Sequence, residues 1–96
     1  MKEELNIKIE NGRNYSILNL DGNLTLLVED KMLDTYDKIK VSNILFNFEN
    51  VKYINSGGIA ILIDIVTRAQ ETNKKIFGCS LSEHFQKVFH IVSLDK

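Results

Sequence analysis

The residues best placed to do chemistry in this 96-residue chain are gathered in one stretch, Asn55-Ser56-Gly57-Gly58, directly ahead of the apolar run Ile59 to Val66. Ser56 offers a hydroxyl. The paired glycines allow close backbone approach and, at a helix start, leave free amides exposed. The helix dipole there favours negative charge, so the position suits a small anion, either free or covalently attached to Ser56. The same residue types also suit plain capping, because Ser and Asn are preferred at helix starts. Spacing alone ranks capping ahead of anion binding.

Other chemistries are excluded residue by residue. A nucleophile elbow needs a glycine two positions before the serine, and that residue is Ile54. No Gly-Lys-Ser/Thr follows Gly57-Gly58, so there is no nucleotide phosphate loop of the Walker type. His84 and His90 lie six positions apart and so do not share the helical face that one metal ion requires. The carboxylates are scattered, and no pair is spaced as a general acid and base. Cys79, the one cysteine, follows an apolar strand and reads as an inert buried thiol. The expectation is therefore a protein that is not an enzyme and holds neither cofactor nor metal.

Composition narrows the partners. Twelve basic residues against thirteen acidic ones, with no basic block, argue against nucleic-acid binding. The amino-terminal MKEELNIKIE carries charges where a signal peptide needs an apolar stretch, and no window approaches the roughly 20 apolar residues that span a bilayer. The expectation is a cytoplasmic protein without membrane insertion.

The elements that must position Ser56 follow from hydrophobic period. Leu5 to Glu10 alternates apolar and polar, Asn11-Gly12-Arg13-Asn14 forms a turn, and Tyr15 to Leu20 is the second arm of a hairpin that Asp21-Gly22-Asn23 ends. Val28, Met32, Tyr36 and Ile39 place one helical face within Leu24 to Lys40, with Thr25 or Asn23 as its cap. Ile44 to Phe48 suits a strand buried on both faces, and Glu49 to Ile54 a connection. In the next helix Leu62, Ile63, Val66 and Ala69 form the stripe. Ile61 and Ile65 fall off it, which implies a second contact surface or deep burial. Asn73 stops this helix, Lys75 to Cys79 is a strand, and Phe85, Val88, Phe89 and Val92 mark a last helix. The order ββαβαβα, without internal linker or repeat, predicts one α/β domain over residues 1–96 with a mixed sheet.

Three places carry a family resemblance. Tyr53 to Ala60 is similar to the signature Asp-Ser-[Ser/Thr]-Gly-[Leu/Ile]-[Gly/Ala] of the STAS domain; Asp21-Gly22-Asn23-Leu24 resembles its Gly-Glu-Leu-Asp turn; and Leu81 to Leu94 looks like its closing helix. The chain resembles the stand-alone form of that domain, the bacterial anti-sigma factor antagonists. The resemblance implies a small sheet of about four strands with the helices packed mainly on one side. It implies a non-catalytic partner-switching regulator of transcription, in which Ser56 is phosphorylated by an anti-sigma factor with serine kinase activity and reset by a serine/threonine phosphatase. The implied partner surface comprises Asp21, Gly22, Asn23, Asn55, Ser56, Gly57, Gly58, Ile59 and Ile61. Asn55, Asn23 and Thr25 stand where the family has carboxylates, and Gly57 stands where it has Ser or Thr. The alternatives are a STAS scaffold that does not switch, as one component of a larger assembly or a detached module of a transporter-like system, and a module that binds a small anion or nucleotide on the Ser56-Gly57-Gly58 amides.

Overall fold

The computed structural model describes residues 5–80. The expected closing helix, with both histidines, lies outside the described residues. Strand β1 (Leu5–Asn11) turns back through Gly12, whose amide donates to the Tyr15 carbonyl at 2.8 Å, into β2 (Tyr15–Leu24). A single 3-10 turn (Leu26–Val28) leads into α1 (Glu29–Asp37). Then come β3 (Asn43–Ile54), α2 (Ser56–Glu71) and β4 (Lys75–Cys79). The four strands form one sheet in the order β1-β2-β3-β4, antiparallel for the hairpin and parallel for the other two pairs. The mixed α/β sheet expected from the element order is the observed one.

The core lies on one face of that sheet. Leu18 and Leu20 of β2 and Ile44, Phe46 and Phe48 of β3 are buried against Met32 and Tyr36 of α1 and Leu62, Ile65 and Val66 of α2. The intervening strand residues Ile17, Asn19, Leu45 and Asn47 are only partly covered. This corrects the expectation that Ile44 to Phe48 is buried on both faces: among the described residues both helices lie on one side, and the side chains on the other side stay partly exposed. There Asn47 donates to the Asn19 carboxamide at 2.8 Å, and Asn19 donates to the Glu10 carboxylate, also at 2.8 Å.

Both central strands run further than their apolar cores indicate. Asp21 to Leu24 continues β2, and Glu49 to Ile54, expected as a connection, continues β3. The two extensions pair with each other, Asp21 opposite Asn50 and Leu24 opposite Ile54, across two register shifts. Gly22 sits at the second shift with φ 130°, a torsion that side-chain-bearing residues rarely adopt. The first helix accordingly starts later than Leu24. Thr25 caps the 3-10 turn by accepting from the Leu27 amide at 3.3 Å. At the other end of α2, Asn73 takes a left-handed φ of 61°, and the Lys74 amide returns to the Ala69 carbonyl at 2.8 Å, which closes the helix as the sequence predicts.

The phase of α2 overturns one expectation. Ile61 and Ile65 are core residues, 1% and 0% exposed, whereas Ile63 is 46% exposed. The nearly continuous apolar run concealed which side faces the sheet. Ile61, assigned above to the partner surface, therefore presents no side chain to a partner. Ile61→Ala is expected to cost about 2–5 kcal/mol of unfolding free energy, and Ile63→Ala no more than about 0.5 kcal/mol. Urea denaturation of the two variants measures the difference, and equal losses would refute this phase.

Candidate functional site

The paired ends of β2 and β3 bring two helical starts together. Asn23 lies opposite Tyr53 and Leu24 opposite Ile54, and the Asn55 amide donates to the Leu24 carbonyl at 3.3 Å. Asn55, in extended conformation, is the cap of α2: its side-chain oxygen accepts from the Gly58 amide at 3.0 Å and its carbonyl from the Ile59 amide at 2.9 Å. Ser56 is thus the first helical residue and not the cap. It is exposed, and its hydroxyl makes no hydrogen bond to a described residue. Thr25 and Asn55, two of the positions at which family carboxylates are replaced, both serve as neutral cap acceptors.

The glycines answer to space. A Cβ on Gly58 would lie 2.1 Å from the Leu24 carbonyl oxygen and 3.0 Å from Ile54 Cγ1. A Cβ on Gly57 would lie 2.8 Å from Leu26 Cβ and 2.9 Å from the Leu26 amide nitrogen. The first turn of α2 therefore rests directly on the end of β2 and on the 3-10 turn that follows it. Gly57, the departure from the family's Ser or Thr, is the residue that the close approach of Leu26 admits.

That contact shapes the surface around Ser56. Leu26 is 57% exposed, Leu27 76% and Tyr53 52%. Ala60 and Ile63 follow Ser56 along the outer stripe of α2 at one and two helical turns. Exposed apolar groups gathered in this way mark interaction surfaces more often than isolated ones do. Of the residues expected at the site, Asn23, Asn55, Ser56, Gly57 and Gly58 come together here. Gly58 is buried and Ile59 half-buried. Asp21 lies further back along β2, opposite Asn50, in the set of positions that alternates with the buried Leu18 and Leu20. Sequence reasoning passed over Leu26, Leu27, Tyr53 and Ile63. The adjacent leucines between two polar segments were the available signal. Among the described residues no group of three or more His, Cys, Asp or Glu side chains is placed to hold a metal ion, and no helix is long and apolar enough to cross a membrane.

Capping makes a direct prediction. Asn55→Ala is expected to lower stability by about 1 kcal/mol, while Asn55→Asp keeps the acceptor and adds a charge that the helix start favours by about 0.3–1 kcal/mol. Denaturant midpoints of the two variants should move in opposite directions, and a neutral Asn55→Ala would remove the capping role.

No curated protein sequence matches the chain. The fold is similar to the anti-sigma factor antagonist SpoIIAA in its unphosphorylated form, with a TM-score of 0.70 at 19% identity, covering 90% of this chain and 83% of that one. It is similar to an anti-sigma factor antagonist from Mycobacterium paratuberculosis, with a TM-score of 0.72 at 13% identity, covering 95% and 80%. It is also similar to a sulfate transporter family protein from Wolinella succinogenes, with a TM-score of 0.73 at 13% identity, covering 88% and 71%. The family model of the STAS domain matches residues 2–96, and the chain belongs to that family.

Proposed function

We propose that this protein is an anti-sigma factor antagonist, a regulator without catalysis of its own, switched by phosphorylation of Ser56. The observation that carries this reading is the placement of Ser56. Its hydroxyl is exposed at the first position of a capped helix, unengaged by any described residue and surrounded by exposed apolar side chains. A phosphate there adds about −1.5 to −2 charges at neutral pH. The start of α2 tolerates that charge, because the helix dipole and the free amides of the first turn favour it. An apolar partner face does not, because the phosphate must then be desolvated without a counter-charge. Modification therefore weakens binding while leaving the fold intact. SpoIIAA, similar in fold, is known in a phosphorylated as well as an unphosphorylated form, which supports the reading.

The partners follow from this chemistry and from the family. The writer of the phosphate is an anti-sigma factor with serine kinase activity, and the eraser is a serine/threonine phosphatase. The contact surface is Asn23, Asn55, Ser56 and Gly57 with Ile59, extended by Leu26, Leu27, Tyr53 and Ile63. Asp21 and Gly22 contribute at its margin, and the buried Ile61 has no part in it. Replacement of family carboxylates by Asn23, Thr25 and Asn55 leaves the neighbourhood short of charge, so the phosphate supplies most of the local negative potential.

Affinity for the anti-sigma factors of the source organism, measured for wild type, Ser56→Ala and Ser56→Asp, tests the switch. The expected order is wild type equal to Ser56→Ala within about threefold, with Ser56→Asp weaker by about tenfold or more, or about 1.4 kcal/mol. Equal binding by all three removes phosphorylation control and leaves a STAS scaffold that does not switch.

A further inference from the structure

We infer a second binding site, for a small zwitterion of the amino-acid class, in the groove over β1 and β2 where the ladder between β2 and β3 breaks register. The groove has a volume of about 500 Å³, within the range of small-molecule sites. Its lining includes Lys8, Lys31, Asp21, Asn6, Asn19 and Asn50, of which Asp21 alone also stands at the margin of the surface around Ser56.

Three observations give it the character of a site. The first is uncompensated charge. Lys8 pairs across the hairpin with Asn19, and Asp21 with Asn6, so Lys8 and Asp21 are diagonal neighbours, about 7–8 Å apart at the backbone. Opposite charges so placed have the reach to close on each other, yet neither side chain forms an ion pair or hydrogen bond with a described residue. The second is a fixed cation. The Lys31 ammonium is not left to sweep solvent: it donates to the Leu5 carbonyl at 2.5 Å, which holds a positive charge at the rim in advance of any ligand. The third is the irregularity between Asn19 and Asp21. Over this interval β3 advances one residue more than β2, from Asn47 to Asn50, which brings Asn50 opposite Asp21. Bulges of this kind re-aim side chains and are over-represented beside functional sites.

The chemistry of the lining selects the ligand. Two ammonium groups suit a carboxylate, one carboxylate suits an ammonium, and the Asn6 and Asn50 carboxamides donate and accept in between. A simple anion leaves Asp21 opposed to it, and a simple amine leaves two lysines opposed to it. A molecule carrying both poles satisfies the set. Asn19, held by its bonds with Asn47 and Glu10, forms part of the floor.

The test is titration of the 96-residue protein with each of the common L-amino acids at millimolar concentration, followed by amide chemical shifts and by thermal unfolding. The matched controls are carboxylates without an amine and amines without a carboxylate. Saturable shifts centred on Lys8, Asp21 and Asn50 are expected for some amino acids, together with a raised unfolding temperature. Lys8→Met and Asp21→Asn, both at exposed positions and checked for a dispersed native spectrum, should each weaken binding about tenfold or more. Absence of any saturable shift overturns the proposal, as does equal binding of either control, or shifts that map to the neighbourhood of Ser56.

Discussion

The structure depends on one close approach, that of the first turn of α2 to the backbone at the end of β2. The Leu24 carbonyl stands where a Cβ of residue 58 would be, and it also accepts the Asn55 amide. Everything around Ser56 inherits its position from that contact. It sets the height of α2 above the sheet, brings Leu26 against Gly57, and turns Leu26 and Leu27 outward beside the serine. Two adjacent glycines are what this geometry requires. Unusual torsions are not needed, since neither Gly57 nor Gly58 has a positive φ. An argument from glycine flexibility would therefore misread these residues, which serve by having no side chain.

The sheet divides the molecule into two surfaces with different chemistry. On one side, the two described helices and the inward residues of β2 and β3 make a single apolar core. On the other, a polar chain from Glu10 through Asn19 to Asn47 crosses three strands beside a less polar row of Ile17, Leu45 and Phe77. Parallel strands usually carry cover on both faces. Here the face away from the described helices is only partly exposed and carries carboxamides that satisfy each other, so its polarity is part of the architecture.

The hairpin, the two described helices, the stop of α2 and the α/β class were legible because each rests on local patterns: alternation in Leu5 to Ile9, helical spacing from Val28 to Tyr36, and the left-handed tolerance of Asn73. The strand extensions were not legible. Asp21 to Leu24 is mostly polar and contains a glycine, Glu49 to Ile54 mixes polar and apolar residues without clean alternation, and both are strands because they pair with each other, which is a property of the tertiary fold. The phase of α2 was also hidden, because a run with isoleucine at 59, 61, 63 and 65 presents apolar groups in every direction. The site was legible in its centre, Asn55 to Gly58, where residue types are distinctive. Its apolar surround was missed because exposure depends on which parts of the chain leave a leucine uncovered.

The long separation between Leu24 and Gly58 has a kinetic consequence. The hairpin closes over a short loop, but the parallel pairing of β2 with β3 joins residues 28 to 30 positions apart, and the seating of α2 joins Leu24 to Gly58, 34 positions apart. Such non-local contacts bear loop-closure entropy before they return any stability, and they form late relative to turns and helices. The surface around Ser56 is thus absent from the nascent or partly folded chain and is completed with the last parallel contacts. An enzyme or partner that recognises that surface reads, at the same time, whether the molecule has finished folding.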